Sequence, residues 1–156
     1  MNTEPVTFEN EINFRNLNVR YKKLFKKIVF KTISDSDEWC LSESQAMTLL
    51  FITNHSPCNM GEIHNHSPLT KGALTQIIAI FEEKNLIERI HSTDDRRLVL
   101  VNTTDTGLTL GHKIGKRLIE QLHKQLDKLD EDEKITLNDS LININYLLEK
   151  MENLDD

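Results

Sequence analysis

The stretch Asn85–Gly107, NLIERIHSTDDRRLVLVNTTDTG, decides the fold class. Two short runs of alternating β-type residues, Leu86–His91 and Leu98–Asn102, flank a polar loop, Ser92–Arg97, that ends in two adjacent arginines. Alternation with period two is the pattern of a half-buried strand. Directly upstream, Leu74, Ile77, Ile78 and Phe81 recur at i, i+3, i+4 and i+7, the spacing of one face of a helix. A helix feeding a charged β-hairpin has the layout of a winged DNA reader, with one element for a groove and one for the backbone beside it.

The chain has 156 residues, a length that suits one domain with a core of its own, so a single domain over 1–156 is expected. No apolar run approaches the ~20 residues needed to span a bilayer. The opening MNTEPVTFENE is acidic, unlike a signal peptide. These features predict a soluble cytoplasmic protein without a membrane partner. Two cysteines, Cys40 and Cys58, make no disulfide framework. Neither is marked by neighbouring cations as a low-pKa thiol, so both are expected to be small, buried, reduced residues.

The formal net charge of −6 argues at first against nucleic acid. The charge is unevenly spread. Residues 1–66 hold 7 Lys/Arg against 8 Asp/Glu, residues 67–117 hold 8 against 6, and residues 118–156 hold 4 against 11. The acidity belongs to the C-terminal end, and the candidate reader is mildly basic. Such a chain needs a second copy, rather than a large basic field, to hold DNA.

Helix-start signals set the order of elements. Ser42-Glu43-Ser44-Gln45 is a capping box, and Asn59-Met60-Gly61-Glu62 and Asp130-Glu131-Asp132-Glu133 have the same form. Thr70 and Thr104 serve as caps for two more helices. The predicted order is α1 (about 8–33), α2 (43–54), α3 (60–66), α4 (71–84), a β-hairpin (86–102), α5 (105–128) and α6 (131–152), with boundaries good to ~2–4 residues. The class is mainly α with a small β-hairpin wing. Asn85 stands where α4 must stop, and asparagine tolerates the left-handed conformation that ends many helices. Pro68 drives Ser67 out of helical geometry and so makes the α3–α4 turn tight.

In a helix-turn-helix the second helix enters the major groove by its N-terminal residues. Here that helix is α4. With its apolar stripe facing inward, the opposite face near its start carries Gly72, Thr75 and Gln76, flanked by Lys71 and Ala73. The face is small and polar, which permits close approach. Gln76 can pair bidentately with adenine, and Thr75 offers a methyl to thymine or a hydroxyl to phosphate. The helix start at Thr70–Gly72 suits a phosphate. On the hairpin, Arg96 and Arg97 suit a minor groove or phosphates, and Asp95 or Asp94 can brace one arginine. Taken singly, these are also features of an ordinary surface helix and a solvated charged turn.

The segment FEEKNLIERIHSTDDRRLVLVNTTDTG resembles the wing of the MarR-type transcriptional regulators. Asp95-Arg96-Arg97 fits that family's Asp-x-Arg element, and Thr104 to Gly107 fits the end of its pattern. Leu41-Ser42-x-x-Gln45 and Glu62-Ile63 are similar to the family as well. The resemblance implies winged helix-turn-helix lobes with a reader core at about 41–104. It implies a homodimer joined through α1, α5 and α6, that is, about 8–33 and 105–152. It further implies binding to a pseudo-palindromic double-stranded operator, usually repression, and release by a small ligand or an oxidant. The chain departs from the pattern at Asn85 for glycine, Thr103 for leucine and His64 for alanine.

Three long apolar-striped helices on either side of a small reader need a partner surface, which supports two copies. Position points to Tyr21, Phe25 and Trp39 as the walls of a pocket for a small apolar or phenolic effector. His55, Cys58, His64 and His66 cluster in sequence without a recognised ligand spacing. His112 and His123 lie three turns apart. No metal and no cofactor is expected. Nucleophile-elbow, phosphate-loop and metal-hydrolase motifs are missing, so an enzyme has little support. The competing class is a winged-helix protein-interaction module without DNA binding, which the net acidity would fit.

Overall fold

The computed structural model describes residues 8–34, 40–91 and 98–153, with side chains from Ile12 onward. In chain order the elements are α1 (Phe8–Ser34), α2 (Glu43–His55), α3 (Met60–Asn65), α4 (Lys71–Glu83), β1 (Ile87–His91), β2 (Val99–Thr103), α5 (Asp105–Leu126) and α6 (Glu131–Glu152). The fold is mainly α with one antiparallel hairpin, in which Ile87 pairs with Thr103 and His91 with Val99. The chain divides, at a boundary that falls within the α5 sequence, into two compact units, Met1–Ile119 and Glu120–Asp156.

The core lies in the first unit. Leu74, Ile77, Ile78 and Phe81 of α4 are all buried against Ala46, Leu49 and Ile52 of α2, Ile63 of α3, Leu86, Ile87 and Val101 of the hairpin, and Ile114 of α5. Each such side chain contributes roughly 1.5–3 kcal/mol by leaving water, so the stripe fixes which face of α4 remains outside. No helix among the described residues is long and apolar enough to cross a membrane.

The caps form as their residue types require. The Gln45 amide donates to Ser42 Oγ at 3.2 Å while the Ser42 amide donates to Gln45 Oε1 at 2.8 Å. Asn59 with Glu62, and Asp130 with Glu133, close the same reciprocal box. Each pairing satisfies orphan donors of a first helical turn.

Helix α4 ends in a left-handed residue, Asn85, at φ 53°. The Leu86 amide donates to the Phe81 carbonyl at 2.8 Å and the Asn85 amide to that of Glu82 at 3.0 Å, the double closure of a Schellman cap. Thr104 then fastens the far end of the hairpin. Its hydroxyl donates to the Asn85 carbonyl at 2.7 Å and accepts from the Gly107 amide at 3.0 Å, so one side chain caps α5 and ties the hairpin's exit to its entry. Backbone hydrogen bonds in both directions between Cys58 and Val101, at 3.0 and 2.8 Å, pin the loop before α3 to β2.

Outside this core, apolar side chains face water. Along α1, Ile12, Phe14, Leu17, Val19, Tyr21, Leu24 and Phe30 are exposed. In the second unit, α6 buries none of its residues and exposes Ile135, Leu141, Ile142, Tyr146, Leu147, Leu148 and Met151.

One expectation fails. Cys40 is exposed, whereas Cys58 is buried as expected. Cys40 sits at φ 45° in the loop before α2, and the next residue, Leu41, occupies the place in the core.

Candidate nucleic-acid interface

The helix-turn-helix is α3, the Ser67–Leu69 turn and α4. The turn is held by the Ser67 amide donating to the His64 carbonyl at 3.1 Å and the Leu69 amide donating to Ser67 Oγ at 3.3 Å. Thr70 is the N-cap of α4, its hydroxyl accepting from the Ala73 amide at 3.3 Å. The residues expected to read DNA lie together on the uncovered side of this first turn and a half. Lys71, Gly72, Thr75 and Gln76 are exposed and Ala73 is half-buried. Thr75 donates its hydroxyl hydrogen to the Lys71 carbonyl at 2.8 Å, which fixes the rotamer and leaves the oxygen lone pairs as acceptors. Beyond its chain neighbours and its own helix backbone, no atom of the described residues lies within 4 Å of where a Cβ on Gly72 would be, so this patch is open for close approach.

The hairpin is braced at its base. Arg89 Nε on β1 donates to Glu82 Oε1 on α4 at 2.8 Å. Ser56 Oγ donates to Asn102 Oδ1 at 2.7 Å and Asn102 Nδ2 to Glu88 Oε1 at 2.9 Å, while the Thr103 amide donates to Ser56 Oγ at 2.9 Å. These contacts set the direction in which the hairpin leaves α4. Asp95, Arg96 and Arg97, at its tip, lie outside the described residues.

Beside the reader lies a cavity of about 520 Å³ between α1, α2, α3 and the α3–α4 turn. Tyr21 and Phe25 line it, stacked with ring centroids 5.8 Å apart. Trp39 lies outside the described residues. Val29, Met47, Leu50, Ile63 and Leu69 supply apolar wall, and Lys22, Lys26, Glu43, His55 and His66 supply charged or imidazole side chains.

Residues 41–99 match the family model described as MarR family. The transcriptional repressor MdtR of Bacillus subtilis is 27% identical over 92 residues, which cover 59% of this chain and 59% of MdtR. Among solved structures, RV1404 from Mycobacterium tuberculosis superposes with a TM-score of 0.73 at 18% identity, over 91% of this chain and 95% of that one. FabT from Streptococcus pneumoniae, in complex with DNA, does so at 0.65 and 22%, over 92% and 99%.

Over residues 41–99 the chain is similar to the MarR family. In the fold shared with these solved structures, α4 takes the place of the second helix of the helix-turn-helix and the β1–β2 hairpin that of the wing. The matched segment holds the whole helix-turn-helix and the first strand of the hairpin, and the chain aligns with about three-fifths of MdtR's length.

Residue-by-residue reading missed the wing's braces, Arg89–Glu82 and Ser56–Asn102–Glu88. Their partners are up to 46 residues apart in sequence, and no local pattern announces them. His55 and His66, weighed only as metal ligands, meet instead across Phe51, with ring centroids 4.2 and 4.7 Å from it. Among the described residues, no group of three or more His, Cys, Asp or Glu could hold a metal ion. Cys58 is a core residue: burial first, and the nearby Glu62 carboxylate second, push its thiol from the ordinary 9.0 up to about 11. It is protonated at neutral pH and unsuited to oxidation.

Proposed function

We propose that this chain is a MarR-type, cytoplasmic, sequence-specific DNA-binding transcriptional regulator, working as a homodimer on a pseudo-palindromic operator and released by a small effector. The observation that carries this reading is the division of α4. One face is sealed into the core by Leu74, Ile77, Ile78 and Phe81, and the other presents Lys71, Gly72, Thr75 and Gln76 to solvent behind the Thr70 cap. A rigid helix with a small polar leading face is suited to a major groove. Gln76 is assigned to adenine readout and Thr75 to a thymine methyl or a phosphate, with Thr70, Lys71 and Ala73 positioning them. Arg96 and Arg97 are assigned to phosphates or a minor groove, with Asp95 as brace.

The homodimer reading draws on the exposed apolar rows of α1 and α6. An exposed apolar row on a helix of a soluble protein marks an interaction site, and a second copy supplies a matching surface by symmetry. Two copies place two recognition helices on one duplex. The mode of action as a repressor follows the sense of MdtR, a transcriptional repressor. The 520 Å³ cavity falls within the ~300–1,000 Å³ typical of ligand pockets, and its Tyr21 and Phe25 walls suit a small apolar or phenolic effector. Retardation of DNA flanking the chain's own gene tests the reading. Its absence even at low salt would instead favour the protein-docking role open to winged helices.

A further inference from the structure

Ser56 closes α2 in extended backbone, at φ −69° and ψ 136°, and its hydroxyl opens a relay into the hairpin. The Thr103 amide donates to Ser56 Oγ at 2.9 Å, Ser56 Oγ donates to Asn102 Oδ1 at 2.7 Å, and Asn102 Nδ2 donates to Glu88 Oε1 at 2.9 Å. Both ends fix the direction of the relay. A backbone amide only donates, and a carboxylate only accepts. Asn102 must therefore turn its nitrogen to Glu88 and its oxygen to Ser56, whose hydrogen then has one place to go. The relay runs from the end of α2 to β2 and on to β1, where Glu88 stands directly opposite Asn102.

Glu88 is otherwise out of place. It is an exposed carboxylate on an element that the DNA reading sets against phosphates, which repel it. Among the described residues no cation pairs with it. Its place is explained by Asn102, because a carboxylate is the acceptor that orients the amide. The hairpin's other side-chain tie, Arg89 to Glu82, is 47% and 34% exposed at its two members, so salt screens it. Ser56 and Asn102 are half-buried, where a hydrogen bond is stronger than in water. The backbone bonds between Cys58 and Val101 hold β2 to the loop before α3, and the relay carries that hold across to β1.

We propose that Ser56, Asn102 and Glu88 are positioning residues for DNA binding, whose one-way relay holds the wing at the angle from which its arginines reach the duplex. None of the three is assigned a contact with DNA. The inference rests on the chain binding DNA through its recognition helix and wing, and adds the residues on which the wing's share of the affinity depends. The relay therefore counts towards affinity only while the wing arginines are present.

The test titrates the full chain with the DNA flanking its own gene at about 50 and about 200 mM salt, with the melting of each variant recorded. Ser56→Ala changes no charge and is expected to weaken binding about tenfold and to flatten the salt dependence, as the loss of phosphate contacts does. In a chain already carrying Arg96→Ala and Arg97→Ala, the same substitution is expected to change affinity by less than about twofold. Asn102→Asp sets two carboxylates face to face and is expected to weaken binding as Ser56→Ala does. Adding Glu88→Gln reverses that hydrogen bond and is expected to restore affinity, whereas adding Glu83→Gln, which restores the same net charge outside the relay, is not. An equal loss from Ser56→Ala with and without the wing arginines overturns the proposal, since the relay then serves the fold alone. So does a Ser56→Ala chain that binds like the parent, or rescue by Glu83→Gln as full as that by Glu88→Gln. Should Ser56→Ala melt below the assay temperature, the Asn102 and Glu88 exchange decides alone. A parent chain that leaves the DNA unbound at low salt removes the DNA reading and this one with it.

Discussion

Gly111 on α5 lies so close to Thr53 on α2 that a Cβ on the glycine would sit 2.1 Å from the Thr53 hydroxyl oxygen. Thr53 cannot swing aside freely, because its hydroxyl donates to the Leu49 carbonyl at 2.8 Å. One turn earlier, a Cβ on Gly107 would meet the Leu86 carbonyl oxygen at 1.8 Å, and that carbonyl accepts from the Thr104 amide. One turn later, a Cβ on Gly115 would stand 3.3 Å from Leu50, a cavity residue. Glycine at every fourth position thus lets α5 press on the wing's base and on α2.

The glycines predict a graded series. Gly111→Ala is expected to cost ~1–3 kcal/mol through overpacking, and Gly107→Ala at least ~3 kcal/mol because its obstacle is backbone. Gly72→Ala, with open space around it, is expected to leave stability unchanged or raise it by up to ~1 kcal/mol. Urea unfolding of the three variants measures this. A Gly107→Ala chain as stable as the parent would contradict the packing described.

Asn85 supplies a second case. Its φ of 53° is costly for most L-residues, by about 1–2 kcal/mol. Asn85→Val is therefore expected to lose at least ~1 kcal/mol, and Asn85→Gly to equal or slightly exceed the parent. Equal stability of the valine and glycine variants would show that the cap tolerates any residue.

The cysteines separate by chemistry. The Cys58 thiol, held up at about 11, should resist alkylation at neutral pH in the folded protein, while exposed Cys40 reacts. The linkage has a definite sign. The unfolded thiol ionises near 9.0 and the folded one near 11, so Cys58 contributes stability below the first value that is lost as pH rises towards the second. Cys58→Ala should flatten the fall in melting temperature over that interval. An unchanged slope would contradict the assignment.

Much of this was legible in the chain itself. Every capping box formed, because a cap is a local hydrogen-bond pattern set by residues three apart. Asn85 and the α4 stripe were equally plain, since left-handed tolerance and helical spacing are local properties. Cys40 was misplaced because two adjacent residues, Cys40 and Leu41, competed for one place in the core, which sequence spacing does not resolve. The His55–Phe51–His66 wall joins two helices through a tertiary contact, and the Gly107–Gly111–Gly115 row acquires meaning only once Leu86 and α2 are against it.

The homodimer is checked by sedimentation. The full chain is expected to sediment as a dimer, and Ile142→Asp with Tyr146→Asp, both on the exposed face of α6, to shift it towards monomer and weaken DNA retention. A parent chain that stays monomeric at micromolar concentration would contradict the two-copy reading.

The most direct measurement is the affinity for the DNA flanking the chain's own gene and for unrelated DNA, at two salt concentrations, with the parent, Gln76→Ala and Arg97→Ala. The parent should bind the flanking DNA tightly and with a steep salt dependence. Gln76→Ala should lose ~1–3 kcal/mol on that DNA alone, and Arg97→Ala should weaken both and lower the salt slope by about one. Equal affinity of the parent for both DNAs, or no binding at low salt, would contradict sequence-specific regulation by this wing and helix.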